Sequence, residues 1–135
     1  MAAYVLRHHR GPELLVFDHV GIPEAGTQIP AGGVHPGEDL EGAVRRETAE
    51  ETGLFDLEVI ARLTVDHRPH PESGHPRHTT FFHLRARPET PDSWTHRVAG
   101  TDTDASLEFA CHFTPLPLTT PLADNQHAWL HLLHP

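Results

Sequence analysis

The segment from Pro30 to Leu54 constrains this chain more than any other. It opens with a Gly/Pro-rich stretch, Ala31-Gly32-Gly33 followed by His35-Pro36-Gly37, which reads as a loop. Asp39 to Thr52 then carries no breaker except Gly42, and Gly53 stands where a left-handed helix cap is expected. The spacing therefore predicts a helix over 39–52 with a defined start and stop. Within it, Glu47, Glu50 and Glu51 fall at i, i+3 and i+4, so their carboxylates share one face. Like charges so placed weaken a helix by roughly 0.2–0.5 kcal/mol per pair. They also lie toward the helix C-terminus, where the macrodipole disfavours anions. A divalent cation removes both penalties, and Mg²⁺ prefers carboxylate oxygen completed by water and phosphate. An isolated Glu-x-x-Glu-Glu is more often a solvated acidic face. The flanking residues decide against that reading.

From Gly32 to Leu54 the sequence runs GGVHPGEDLEGAVRRETAEETGL, which resembles the Nudix box. Gly32, Glu38, Arg46, Glu47, Glu50, Glu51, Gly53 and Leu54 each occupy a specified motif position. One departure is Thr48, which stands where an aliphatic residue is usual. The resemblance implies an α/β fold: a Nudix-like α/β/α sandwich with a mixed central sheet, one catalytic helix and a C-terminal helix. A single domain over 1–135 is expected, since a chain of 135 residues has room for one core. The resemblance further implies a Mg²⁺ cofactor, with Mn²⁺ as a substitute. Its ligands would be Glu47, Glu50, Glu51 and the backbone carbonyl of Ala31. Arg46 would orient the glutamates through charge-assisted hydrogen bonds, and Glu38 would support the metal shell. Many members use a further acid outside the box, for which Glu108 is the candidate and Asp102 and Asp104 are alternatives. The implied reaction is hydrolysis of a phosphoanhydride bond in a nucleoside diphosphate linked to another moiety. A non-catalytic nucleotide-sensing module is the alternative, disfavoured because all four box glutamates are present.

Composition narrows the partners. Asp and Glu number 19 against 10 Lys and Arg, giving a formal charge of −9. That balance argues against affinity built on coating nucleic-acid phosphates. All the basic residues are arginines, so mechanisms that need a lysine, such as a Schiff base or a P-loop lysine, are absent. A small-molecule nucleotide is the expected partner, with no nucleic acid and no membrane. The N-terminal MAAYVLRHHR reaches Arg7 before any long apolar stretch, so no signal peptide is expected and a cytoplasmic monomer or homodimer is the default.

Outside the box, residues 2–6 and 13–17 read as a β-hairpin, 27–30 as a brief strand, and 57–65 and 79–86 as longer strands. Residues 88–106 read as polar and irregular, 107–113 as a strand, and 125–133 as a terminal helix. Substrate is expected between the box helix and the loops at 66–78 and 99–108. Histidines 67, 70, 75 and 78 could take up zinc, but a solvated Pro/Gly-rich loop is the plainer reading. Asp102-x-Asp104 lacks the glycine and closing glutamate of an EF-hand, and His127/His131 lack a metalloprotease glutamate. Cys111 reads as core.

Overall fold

The computed structural model describes residues 1–98 and 107–133, so Asp102 and Asp104 lie outside the described residues. Six strands form one mixed sheet: β1 (Ala2–His8), β2 (Pro12–His19), β3 (Glu58–Asp66), β4 (Thr79–Arg85), β5 (Ser93–Arg97) and β6 (Glu108–Pro115). Their order is β3-β4-β1-β2-β6-β5, with β1 and β4 parallel and the other neighbours antiparallel. The helix α1 (Leu40–Thr52) follows the Gly/Pro-rich loop. Two 3₁₀ segments, Pro23–Ala25 and Ala123–Leu132, complete the described elements. Among these residues no helix is long and apolar enough to cross a membrane.

Strand alternation splits the interior into two layers. Ala3 and Val5 of β1, Leu15 and Phe17 of β2, and Phe109, Cys111 and Phe113 of β6 face α1 through Ala43 and Val44. Their neighbours Ala2, Tyr4, Leu6, Leu14 and Val16 face the opposite way and pack on Ile29, Leu122 and Leu133. The central strands are thus covered on both sides, which explains why β1 is apolar without alternation.

Three expectations need correction. Residues 93–97, read as irregular, form edge strand β5 on β6. Trp94 is its apolar anchor, set among polar residues that hid the alternation. The terminal helix is a 3₁₀ segment rather than an α-helix, interrupted at Asp124 and Asn125, both at φ +53. Gln126 makes that conformation useful: its side-chain oxygen accepts from the Ile29 amide at 2.9 Å. The brief strand at 27–30 reduces to isolated bridges, Phe17 with Gln28 and Ala2 with Ala31.

Thr48, in the aliphatic slot, is fully buried against the sheet. Its hydroxyl donates to the Val44 carbonyl at 2.7 Å, so the helix itself satisfies the buried polar atom. Arg7 is another polar residue enclosed in the core, at 2% exposure. Its guanidinium bonds Glu13, Asp92 and the Thr90 carbonyl and lies over the Phe113 ring. Removing the guanidinium leaves the partly buried Glu13 and the Thr90 carbonyl without their donor, while Asp92 returns to water. Arg7→Met is expected to lower unfolding free energy by about 3 kcal/mol, read from urea denaturation. A loss within experimental error would show the network to be dispensable.

Candidate active site

The site is built on α1 because both helix ends are fixed. Asp39 caps the start, its carboxylate accepting from the Gly42 amide at 2.7 Å. Gly53 ends it at φ +81, a left-handed cap whose amide donates to the Ala49 carbonyl. Any Cβ at Gly53 would also meet the His96 ring at 2.9 Å. β5 closes this end: Trp94 Nε1 donates to the Thr52 carbonyl at 2.7 Å, and His96 Nε2 lies 3.1 Å from the Glu50 carbonyl. A carbonyl only accepts, so Nε2 carries the proton in that bond. Neither residue was singled out from sequence, because the strand that carries them was read as irregular.

Arg46 gathers the carboxylates. Its Nε donates to Glu38 at 2.7 Å, one terminal nitrogen to Glu47 at 2.8 Å and Glu50 at 3.3 Å, and the other to Glu38 and the Gly33 carbonyl. The guanidinium and the His35 amide hold the Glu38 carboxyl down to about 2. Glu51 lies outside this grip. Burial, with Glu47 and Glu50 adding repulsion, pushes its carboxyl up to about 8, although the Ala31 amide donates to it at 2.9 Å. Gly32 packs directly on the Glu47 carboxylate, a place where any side chain would collide.

Glu38, Arg46, Glu47, Glu50, Glu51 and Ala31 thus come together around one loop and one helix face. Among the described residues, however, no three His, Cys, Asp or Glu side chains gather at metal-binding separation. Arg46 and the Ala31 amide take up the glutamate oxygens instead. Glu108 is not brought to this cluster. It alternates with Phe109 on β6, so its side chain leaves the sheet on the face away from α1 and lies 3.8 Å from Arg97. Cys111 is buried, and burial pushes its thiol up to about 12, far from a reactive thiolate.

Beside the loop opens a cleft of about 600 Å³. Ala31, Gly32 and Gly33 form one wall, and Arg68, Arg77 and His78 of the β3–β4 connection form another. Gly32 separates this space from Glu47. The connection is internally ordered, with the His70 ring accepting from the Glu72 and Ser73 amides. His70 is therefore a turn cap in a largely exposed loop. Sequence reading picked out the loop histidines and missed its arginines, which no motif marks.

The NUDIX domain model matches residues 1–132. The chain belongs to the Nudix family. It is similar to an RNA pyrophosphohydrolase of Caulobacter vibrioides, 35% identical over 108 residues, covering 77% of this chain and 60% of that protein. It is also similar to Nudix hydrolase 25 of Arabidopsis thaliana, 37% identical over 60 residues, 42% of this chain and 34% of the relative. Nudix hydrolase 26, chloroplastic, from the same plant is 38% identical over 61 residues, 42% of this chain and 28% of the relative. The chain thus spans about three fifths of the Caulobacter protein and about a third of each plant protein. Within this Nudix domain the mixed sheet and its α1 helix are those the box implied.

Glu51 gives the metal-free Nudix domain a pH signature. Its carboxyl titrates near 4.5 when unfolded and near 8 when folded. Across that window the folded chain keeps a proton that the unfolded chain has lost, so this group's contribution to stability falls as pH rises. Glu51→Gln removes the contribution. In EDTA, the variant should gain melting temperature over wild type progressively from pH 5 to pH 8, then hold a constant advantage. Parallel curves over the whole range would show that Glu51 is not held protonated.

Proposed function

We propose that the domain is a Mg²⁺-dependent pyrophosphohydrolase acting on a nucleoside diphosphate linked to another moiety. The observation that carries this reading is the glutamate face of α1, organised by Arg46 and set against the cleft at Gly32. The donor set fits a hard cation: it is all oxygen, and burial, with Glu47 and Glu50 close by, has already raised the Glu51 carboxyl. No donor among the described residues bonds the Ala31 carbonyl, so that oxygen is also available. Glu47, Glu50, Glu51 and Ala31 would hold the ion. When bound, Mg²⁺ or Mn²⁺ neutralises diphosphate charge and acidifies water for attack at phosphorus.

The residues divide the remaining work. Glu38, held near 2 by Arg46, is a poor proton acceptor near neutral pH, and its part is to anchor the guanidinium. Arg46 keeps Glu47 and Glu50 on the loop side of the helix. Gly32 and Gly33 allow a phosphate to approach the backbone closely. Glu51 is the carboxylate on which both cation binding and turnover depend most. Glu108, facing away and beside Arg97, has no part in this scheme.

One relative's name includes RNA, and a 5′-triphosphorylated RNA end presents the same kind of anhydride. The formal charge of −9 opposes affinity for a long phosphate backbone, so small nucleotides remain the favoured substrates. A hydrolysis screen with Mg²⁺ and Mn²⁺, products read by mass, tests this directly. Its panel holds nucleoside triphosphates, nucleoside diphosphate sugars, dinucleoside polyphosphates and a 5′-triphosphorylated oligoribonucleotide. Cleavage of the oligonucleotide alone would overturn the small-molecule reading, and turnover undiminished by EDTA would overturn the metal.

Glu51→Gln preserves shape and removes charge, so it is expected to cut turnover on the order of a thousandfold. Glu108→Gln should leave kcat within about twofold of wild type. Steady-state kinetics with melting controls would decide both. More than about a tenth of wild-type turnover in Glu51→Gln, a change under roughly 1.4 kcal/mol, removes the helix glutamates from the catalytic role.

A further inference from the structure

Two arginines line the cleft. Arg7 and Arg46 are consumed by buried or half-buried networks, and Arg85, Arg87 and Arg97 pair on the surface. Arg68 and Arg77 instead line the cleft from the two ends of the β3–β4 connection. Arg77 has a buried Nε with no hydrogen-bond partner, while its NH2 pairs with the Asp124 carboxylate at 2.9 Å. A donor sequestered without an acceptor is costly, so a small shift of this one-third-exposed side chain onto a ligand is favoured if it also pairs the Nε. Arg68 lies beside it in the cleft wall, its guanidinium donating to the Asn125 side-chain oxygen. Its guanidinium lies 3.7 Å from Asp66, whose oxygens already accept from Trp129 Nε1 and from the Arg68 amide.

We propose that Arg77 and Arg68 bind a phosphoryl group of the substrate in the cleft, on the other side of Gly32 from the glutamates, and that Asp124 occupies Arg77 until that group arrives. The assignment rests on the proposed hydrolase reading and deepens it. The glutamate face and the arginine wall, on either side of the Gly32 loop, then divide one ligand. The acidic helix takes its anionic groups through cations, and the arginine wall takes them directly by bidentate hydrogen bonds. Because the chain has no lysine, arginine is its only permanently cationic side chain for this purpose. The Asp124 carboxylate presents oxygens to Arg77 much as a phosphoryl group would. It therefore lowers affinity while keeping the guanidinium oriented. Substrates whose departing portion is anionic should be preferred over those whose departing portion is neutral.

The opposite effects of Arg77→Gln and Asp124→Asn test this. With a nucleoside triphosphate, Arg77→Gln should raise KM about tenfold or more with kcat within about threefold. Asp124→Asn should lower KM, since the competing carboxylate is gone. A second readout needs no turnover: melting of each protein in EDTA with inorganic tripolyphosphate. The anion should stabilise wild type, fail to stabilise Arg77→Gln, and stabilise Asp124→Asn more than wild type. If both substitutions weaken binding alike, the pair is structural and the proposal falls. Unchanged KM and unchanged tripolyphosphate stabilisation in Arg77→Gln would also overturn it. Should Arg77→Gln fail to fold, Arg68→Gln and Asp124→Asn still give opposite expected shifts, and shifts of the same sign reject the assignment. If no diphosphate is cleaved yet the melting pattern holds, the hydrolase reading fails and the anion site stands.

Discussion

One guanidinium decides the electrostatics of the acidic helix. Arg46 bonds Glu38 from the loop, Glu47 and Glu50 from its own helix, and the Gly33 carbonyl, so it ties the loop to the face that faces it. Without a cation, carboxylates this close would repel one another and the loop would lose its anchor. The same contact explains why two glutamates of one cluster behave oppositely. Glu38 sits under the guanidinium and is held down to about 2, whereas Glu51, beyond its reach and buried, is pushed up to about 8. Demand for further positive charge is therefore concentrated at Glu51.

That concentration is useful only if the helix cannot shift. Asp39 and Gly53 fix its length, Ala43 and Val44 fix its buried face, and Trp94 and His96 hold its last carbonyls from β5. At the loop side, the Ala2–Ala31 bridge docks residues 30–32 on β1, leaving the Ala31 amide free to meet Glu51. The glutamates are thus referenced to the sheet through two separate strands. A cluster of like charges on a rigid frame keeps its strain, and a cation relieves it.

Most of the site was legible because its logic is local. Helix caps, glutamate spacing and the glycine loop all sit within one 23-residue stretch, where sequence distance translates directly into geometry. Glu108, the candidate acid outside the box, is sent by strand alternation to the face away from α1. β5 was hidden because an edge strand needs only one apolar anchor, here Trp94, and its remaining side chains are polar. Thr48 looked like a weakness in the motif, yet a hydroxyl bonded back to Val44 is compatible with complete burial. Arg68 and Arg77 carried no signal at all. Their meaning comes from the chain returning through Asp124 and Gln126, far away in sequence, to close the cleft.

Charge gives the glutamate face and the arginine wall a common logic. A chain with a formal charge of −9 meets its proposed anionic substrate at a net disadvantage. In the proposed scheme the glutamate face overcomes that disadvantage only with added cations, so affinity there would rise and fall with the metal. On the other wall the cations are built in, and Asp124 restrains Arg77. Without metal an anion would be held by the arginine wall alone, in competition with Asp124. A ligand long enough to reach both, with metal present, satisfies the crowded carboxylates and the buried Arg77 Nε together. Selectivity for a substrate with anionic groups at two separated points follows from that geometry, with no need for a contact to any particular base.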